Sequence, residues 1–410
     1  MIAWSVFPAF HAAMFRPLNC IVLIVSVLGT SFALAQPQPA FVPANPPEMQ
    51  PLTNRNSAAH QAARRFMHGV NLGDYLEAPP GQNWGPTYSE KDFAAIRAEG
   101  FDHVRLPVGW HHYTGPGPDF TLSGEIFAKA DFLVTNALNQ QLAVIVNIHH
   151  FNEFTTDLAG QTDKFLAIWR QVAAHYAKLP ETAAFELLNE PKDAAKTTVL
   201  NPIYQRAIRV IRETNPRRAI FVGPGQWNNV AELRNLVLPA DDDNLIVTVH
   251  CYEPFYFTHQ GASWAGPDVR VKGIEFPGPP AKPLTPDPAL KLNPWVLDWI
   301  QRYNTLPTDR NPCNPEAFAS RLRLARQWSD YYGRPVHVGE FGCYVKADEA
   351  SRIRFHEAFR RALDEQKLGW ALWDWKSNFR YWDGPKNQPV LGLREALFGK
   401  GRQPGGSEVK

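Results

Sequence analysis

The chain has 410 residues, of which 44% are hydrophobic and 20% are charged, a balance typical of globular proteins. Its 42 basic and 40 acidic side chains give a formal net charge of +2, and no run of lysine or arginine is long enough to bind nucleic acid. Composition therefore permits a large core and argues against nucleic acid as a partner, and the length allows two modest domains or one α/β barrel.

The N-terminal segment has the pattern of an export signal. Arg16 precedes the apolar run Cys20–Phe32, and Ala33–Ala35 supplies a small-x-small cleavage site. We predict a signal peptide over residues 1–35 and a secreted or periplasmic mature protein. The apolar run is short for a membrane span, although an uncleaved anchor is the alternative. After cleavage we expect no association with a membrane.

Residues 36–66 and 400–410 flank the predicted folded domain. The first segment is rich in proline and alanine and lacks hydrophobic periodicity, so we expect a flexible leader. The second segment looks equally loose, and we expect a disordered tail. The sequence thus predicts one folded domain over residues 67–399, without a simple repeat.

Within this domain, eight short β-type runs alternate with helical segments. In chain order the predicted strands are His68–Leu72, His103–Pro107, Ala143–His149, Ala184–Asn189, Ala219–Gly223, Leu245–His250, Val336–Glu340 and Gly369–Trp373. Eight strand–helix units predict a closed (β/α)8 TIM barrel, an α/β fold. Strand centres such as Val144–Val146 are continuously apolar, as expected of strands buried on both faces. An open doubly wound sheet shares that feature and is the alternative fold.

The segments between the strands differ in character. Ser89, followed by Asp92, and Gly100 are expected to bound one helix, and residues 347–365 are amphipathic. Residues 256–312, by contrast, contain many prolines and no clear helical periodicity before Asp298. We interpret them as a long insertion between strands six and seven that forms one wall of a cleft.

Polar side chains collect where the predicted strands end. They are Arg105, His149, Asn189, Glu190, His250, Tyr252, Glu340 and Trp373. Barrel enzymes build their active sites at the C-terminal ends of the strands. We therefore expect these eight residues to surround a common mouth.

Glu190 and Glu340 end strands four and seven, so they are expected to face each other across this mouth. Glycoside hydrolysis with retention needs an ionised carboxylate and a protonated one, roughly 5 to 5.5 Å apart. Arg105 would keep Glu340 ionised because a nearby positive charge lowers a carboxyl pKa, and Tyr252 would donate to the same group. Glu190, in a position less accessible to water, would keep its proton. It would act first as the general acid and then as the general base.

Purely structural roles are the alternative for the same residues. Either glutamate alone would be expected to cap a turn or to pair with a basic residue on the rim, and Arg105 could belong to a structural ion pair in the barrel. The pair of glutamates at matching strand ends favours the catalytic interpretation.

Seven motifs carry a resemblance to a known family. They are Gly69-Val70-Asn71-Leu72-Gly73, Val104-Arg105-Leu106-Pro107, Asn147-Ile148-His149-His150, Leu188-Asn189-Glu190-Pro191, His250-Cys251-Tyr252, Gly339-Glu340-Phe341-Gly342 and Trp370-Ala371-Leu372-Trp373. With these motifs the chain resembles glycoside hydrolase family 5, the cellulase family of clan A, from about residue 69 to residue 374. The resemblance implies a single catalytic domain over residues 67–399.

The resemblance also implies roles for the eight strand-end residues. Glu190 looks like the acid/base and Glu340 like the nucleophile. Six residues look like support for the substrate or for the two glutamates: Arg105, His149, Asn189, His250, Tyr252 and Trp373. His150 and Trp264 are candidates for further sugar subsites, and residues 252–264, which include Trp264, are similar to bacterial endoglucanases of the family.

The predicted function is hydrolysis of internal β-1,4 bonds in cellulose or a related β-glucan, with retention. β-Mannan, xyloglucan and β-1,3-glucan are alternative substrates for the same mechanism, and a non-catalytic carbohydrate-binding barrel is the non-enzyme alternative. We expect a monomer whose partner is a β-linked polysaccharide or oligosaccharide and which needs no cofactor.

Cysteines and histidines give no metal-binding pattern. After signal cleavage, Cys251, Cys313 and Cys343 remain; we expect buried thiols, and one disulfide among the three stays open. The pair His149-His150 ends a strand, so its two side chains point to opposite sides and are poorly placed to chelate one ion. We therefore predict no catalytic metal.

Overall fold

The computed structural model describes residues 49–399. The predicted signal peptide over residues 1–35, the first part of the leader and the tail over residues 400–410 lie outside the described residues. Within residues 49–399, no helix combines the length and the apolar character needed to cross a bilayer.

Eight parallel strands form a closed barrel in the order of the chain, which confirms the predicted (β/α)8 fold. The strands are β1 His68–Asn71, β2 His103–Leu106, β3 Ala143–Asn147, β4 Ala183–Glu186, β5 Ile220–Val222, β6 Leu245–His250, β7 Val336–Phe341 and β8 Gly369–Leu372. Each predicted strand overlaps its observed counterpart. The largest difference is at β4, which ends at Glu186 rather than at Asn189. Glu190 therefore lies in the loop after β4, whereas Glu340 lies inside β7.

Helices and turns connect the strands around the outside of the barrel. The helices are α1 Ala58–Ala63, α2 Glu90–Glu99, α3 Gly124–Asn139, α4 Asn152–Thr156, α5 Leu158–His175, α6 Thr197–Arg212, α7 Gly225–Asn228, α8 Phe255–Thr258, α9 Pro294–Thr305, α10 Glu316–Tyr332, α11 Glu349–Gln366 and α12 Leu393–Phe398. A short antiparallel pair, β9 Trp382–Asp383 and β10 Gln388–Pro389, follows the barrel. Helix α2 begins and ends as expected, because the backbone N–H of Ser89 donates to Asp92 Oδ2 at 2.7 Å and Gly100 forms the left-handed C-cap.

Alternation along the strands separates two cores. Val144 and Val146 face outward into the large core between the strands and the helices. Ile145 of the same strand faces inward and packs with Phe221 and Ile246 in the small core at the lower end of the barrel. At the upper end the inward positions are polar and buried: Asn71, Arg105, Asn147 and Glu186. The apolar interior therefore gives way to a polar layer directly beneath the mouth.

The prediction that the flexible leader extends to residue 66 is wrong, because its last part is folded. Residues 58–63 form α1, whose backbone is tied to the barrel where Ala59 N–H donates to Asp243 O at 3.0 Å. Phe66, fully buried, packs edge-on against His103 with the ring centres 5.4 Å apart. Alanine-rich composition suggested a linker here, but Ala59 and Ala62 are the buried face of a helix at the foot of the barrel.

The insertion over residues 256–312 is packed rather than loose. The fully buried Gln260 side chain exchanges two hydrogen bonds with the backbone of Ile274, at 2.9 and 3.0 Å. Helix α9 begins at Pro294, before the expected Asp298, and proline is favoured at the first helical position because its missing N–H has no partner there anyway. The prolines thus shape a folded excursion that carries residues to the barrel mouth.

Cys251, Cys313 and Cys343 are buried free thiols. The three thiols form no disulfide with one another, and the buried thiols expected for Cys251 and Cys343 from their positions near strand ends are confirmed.

Candidate active site

A cavity of about 930 Å³ opens at the C-terminal ends of the strands. Eight of the ten predicted site residues line it: His149, His150, Glu190, His250, Tyr252, Trp264, Glu340 and Trp373. The other two, Arg105 and Asn189, are buried beneath it and bonded to each other. The structure therefore brings all ten together at one site.

A β-bulge in β7 aims Glu340 into this cavity. After Val338, the next residue of β7 that pairs with β6 is Glu340, so Gly339 is an extra residue. Regular alternation would turn Glu340 outward like Val338, and the bulge turns it to the mouth instead. Glycine is required at the bulge because a Cβ there would lie 2.5 Å from Thr248 Oγ1.

Arg105, fully buried, holds two carboxylates at once. Its Nε and Nη2 donate to both oxygens of Glu186 at 2.7 Å, and its Nη1 donates to Glu340 Oε1 at 2.7 Å. Nη1 also donates to Asn71 Oδ1, and Nη2 to Asn189 Oδ1. Burial acts to lower the Arg105 pKa, but the two carboxylates outweigh it and raise that pKa above the ordinary value. The guanidinium is a permanent charge beneath the mouth.

Glu340 accepts a hydrogen bond on each oxygen. Arg105 donates to Oε1, and the Tyr252 hydroxyl donates to Oε2 at 2.9 Å. Arg105 lowers the Glu340 pKa, as expected, and so does His250, but burial has the larger effect and the net pKa is raised above its ordinary value. The reason is that Arg105 shares its charge with Glu186, while the Glu340 side chain is only 6% exposed.

Glu190 has fewer donors. Its backbone is left-handed, with φ of 46°, and its side chain is 22% exposed. Oε1 lies 2.8 Å from His250 Nδ1, and burial raises the Glu190 pKa to about 7. Burial also lowers the His250 pKa to about 4, so this imidazole is neutral at higher pH. A carboxyl group with a raised pKa beside a neutral partner fits the proton-holding role expected of Glu190.

The two carboxyl groups are close. One oxygen of Glu190, one oxygen of Glu340 and a ring nitrogen of His250 all lie within 4.8 Å of one another. Retaining glycosidases hold their carboxyl groups roughly 5 to 5.5 Å apart, whereas inverting enzymes leave about 6.5 Å or more for a water molecule. Such a trio can also hold a metal ion, but here Arg105 and Tyr252 already occupy the Glu340 oxygens.

Aromatic faces surround the two glutamates. The Trp373 ring lies parallel to His149, with ring centres 5.7 Å apart and an angle of 11°. Three tryptophans on the cavity wall are unusually exposed: Trp84 at 43%, Trp227 at 52% and Trp264 at 58%. Exposed indoles around a polar cleft present apolar faces and an N–H donor to a ligand.

A family model described as cellulase, glycosyl hydrolase family 5, matches residues 64–379. The chain belongs to this family. The match covers most of the described residues and confirms the resemblance inferred from the strand-end motifs.

Among the relatives of this family 5 chain, Endoglucanase H of Acetivibrio thermocellus is 27% identical over 314 residues, which are 77% of the chain and 30% of that longer protein. Endoglucanase C of the same organism is 28% identical, covering 76% of the chain and 91% of that protein. Thermotoga maritima Cel5A, solved with cellobiose, superposes with a TM-score of 0.72 at 30% identity, over 82% of this chain and 99% of that one. Cel5A solved with mannotriose gives the same values.

Sequence reasoning missed several residues of this family 5 site. They are Asn71, Asp74, Trp84, Glu186, Trp227 and Asn228. Glu186 carried a signal, since an acidic residue between Phe185 and Leu187 in a buried strand requires a positive partner. The exposed tryptophans carried none, because an indole in a loop sequence looks the same whether it packs or faces solvent.

Proposed function

We propose that this family 5 chain is a retaining glycoside hydrolase that cleaves internal β-1,4 bonds of a β-glucan. The observation that carries the proposal is the pair Glu190 and Glu340, whose oxygens lie within 4.8 Å at the floor of an open cavity. This separation suits direct attack by one carboxylate and leaves no space for a water molecule between it and the sugar.

In the first step Glu340 attacks the anomeric carbon and Glu190 donates its proton to the leaving oxygen. Arg105 and Tyr252 orient the attacking carboxylate through its two hydrogen bonds. In the second step Glu190, now ionised, takes a proton from the water that releases the sugar. A Glu190 pKa of about 7 suits both steps, because this group must donate a proton in the first step and accept one in the second near neutral pH.

Asn189 is proposed to hold the 2-hydroxyl of the sugar at the scissile bond. Its Oδ1 accepts from Arg105, which leaves Nδ2 buried and without a hydrogen-bond partner among the residues that the structure describes. A buried donor without a partner is costly unless a ligand accepts from it. His149 and Trp373, stacked beside it, would supply the edge and the face on which that sugar sits.

β-1,4-Glucan is the first candidate substrate because the relatives carry the name endoglucanase and Cel5A was solved with cellobiose. β-Mannan is the second candidate because Cel5A was also solved with mannotriose. We further propose that the protein is exported by the segment over residues 1–35, acts as a monomer at the cell exterior or in the periplasm, and needs no cofactor.

The test uses residues 36–410, assayed side by side on carboxymethylcellulose, β-mannan, xyloglucan and laminarin. Reducing ends released as mixed-length products from the cellulose derivative support the proposed substrate, and activity confined to another glycan replaces it. Glu340→Ala should abolish turnover, and azide should restore it with an α-configured glycosyl azide as product. Glu125→Ala, which changes an exposed glutamate of α3, is the matched control and should retain full activity. Full activity of Glu340→Ala would refute the assignment of the nucleophile.

A further inference from the structure

The short element α7, Gly225–Asn228, is a left-handed turn rather than a regular helix; it follows β5 and packs against the loop that carries Glu190. Gln226, Trp227 and Asn228 have φ angles of 54°, 59° and 54°, a conformation uncommon for residues with a side chain. The turn is fixed where Gly225 N–H donates to Thr197 Oγ1 at 2.9 Å, and where Trp227 N–H donates to Pro191 O at 3.1 Å. Three strained residues in succession suggest that the turn places a side chain for a purpose.

The inward side chain of this turn is Asn228. It is fully buried, and its Nδ2 lies 3.4 Å from His250 Nε2. Space for the amide is made by Gly223, since a Cβ there would lie 2.6 Å from Asn228 Nδ2. The amide therefore occupies a tight slot behind the imidazole, on the side away from the glutamates.

The other ring nitrogen of His250 faces two carboxyl groups. Nδ1 lies 2.8 Å from Glu190 Oε1 and 3.5 Å from Glu340 Oε2. An ionised Glu340 can only accept hydrogen bonds, so the nitrogen facing it must carry the proton. A neutral His250 then has Nε2 as an acceptor, and the group opposite Nε2 must be a donor. The amide nitrogen of Asn228 supplies that donor, so the two ends of the ring agree.

We propose that Asn228 is a positioning residue that holds His250 in its Nδ1–H tautomer and thereby keeps the acid proton of Glu190 on the oxygen that faces the cleft. The proposal rests on the proposed acid/base function of Glu190. With Nδ1–H donating to Oε1, the carboxyl proton stays on Oε2, free for the leaving oxygen. If Nδ1 carried no proton, Glu190 would donate its carboxyl proton to the ring instead, and that proton would no longer be available to the leaving oxygen of the substrate.

The first measurement is the tautomer of His250 in the full mature chain, read by nitrogen-15 NMR of labelled histidine at pH 7 and assigned with His250→Phe. We expect a protonated Nδ1 and a bare Nε2. Asn228→Asp keeps the shape and tolerance of the left-handed backbone but replaces the donor by an acceptor, so Nε2 should gain a proton. Asn229→Asp is the matched control: it adds the same charge one residue away, its side chain can still cap Ala231 N–H, and the tautomer should stay unchanged.

Kinetics then separate positioning from general damage. In Asn228→Asp, a ring protonated on Nε2 either takes the Glu190 proton or, as an imidazolium, lowers the Glu190 pKa. We expect kcat/KM on cellotetraose to fall about tenfold or more, with the roughly 10²–10⁴-fold contribution of general acid catalysis as the upper limit. For a dinitrophenyl cellobioside, whose leaving group needs no proton, it should fall less than about twofold. Asn228→Gly, which fits the positive φ and removes the amide, should show the same split.

Each outcome has a distinct meaning. A wild-type His250 with its proton on Nε2 overturns the proposal, whatever the enzyme hydrolyses. An equal loss on both substrates also overturns it, because that result indicates a merely structural role. A wild-type chain that hydrolyses neither glucan substrate refutes the proposed function, whereas the tautomer and its response to Asn228→Asp still decide whether Asn228 positions the ring.

The charged and titratable groups around His250 are Arg105, His149, Glu186, Glu190, His337 and Glu340, and none is changed in these variants.

Discussion

Replacing Glu190 with glutamine should stabilise the fold, and the gain should grow with pH. Burial raises the Glu190 pKa from 4.5 to about 7, so the folded protein holds a proton that the unfolded chain releases. A group with a raised pKa contributes its full stability below pH 4.5 and loses it as the pH rises through 7. Glu190→Gln removes this pH-dependent cost, since its amide is neutral at every pH and can still accept from His250 Nδ1.

The magnitude follows from the shift. Each pKa unit corresponds to about 1.4 kcal/mol, so a rise from 4.5 to about 7 corresponds to about 3.5 kcal/mol in the free energy of unfolding. The Glu190 side chain is 22% exposed, which keeps solvent screening small. The difference between Glu190→Gln and the wild type should therefore be near zero at pH 4, increase between pH 4.5 and 7, and level off above pH 7.

The assay is urea unfolding of both proteins at pH 4, 6 and 8.5, with unchanged m-values as the check that the denatured states are comparable. Glu125→Gln on the exposed surface of α3 is the control, and we expect less than about 0.5 kcal/mol of change at every pH. A Glu190→Gln difference that does not vary with pH would refute the reasoning, because it would mean that the ionised carboxylate costs nothing in the folded site.

Three further predictions concern the same site. Tyr252→Phe removes the donor to Glu340 Oε2 and should lower kcat about tenfold with an unchanged melting curve, as circular dichroism and initial rates would reveal. Glu186→Gln breaks a buried ion pair and should cost about 3 kcal/mol of stability or more, measured by urea unfolding; a neutral result would contradict the shared-arginine account. The rate on a poor leaving group should fall above pH 7 as Glu190 ionises, and a flat alkaline limb would contradict its role as acid.

The barrel could be predicted because its signal is local. Each strand is a short, largely apolar run, and strands two, three, four, six, seven and eight carry a predicted site residue at or just after their C-terminal end, so the count of eight strand–helix units predicts a barrel without any knowledge of loops. The errors arose where the prediction relied on amino-acid composition instead of hydrophobic periodicity. Ala59 and Ala62 were assigned to a linker although they are the apolar face of α1, and the proline-rich insertion was expected to be irregular where Gln260 and α9 give it structure.

The fine structure of the site could not be predicted because it depends on which strands become neighbours. Arg105 meets Glu186 from 81 residues away across β3, and it meets Glu340 of β7 from 235 residues away because β1 and β8 close the barrel. The bulge at Gly339 depends on the register between β6 and β7, which no short motif encodes. The motif around Glu340 therefore predicted that a carboxylate ends this strand, but not that an extra residue turns it inward.

Burial alone does not distinguish the two glutamates, since it raises the pKa of both. What distinguishes them is the set of donors. Glu340 receives one hydrogen bond from a permanent cation and one from a phenol, so both of its oxygens are prepared for a negative charge. Glu190 faces a neutral imidazole whose pKa is about 4, which can accommodate either protonation state of the acid beside it. The proposed division into nucleophile and acid/base therefore follows from the different partners that β2, β6 and the loop after β6 bring to each carboxylate.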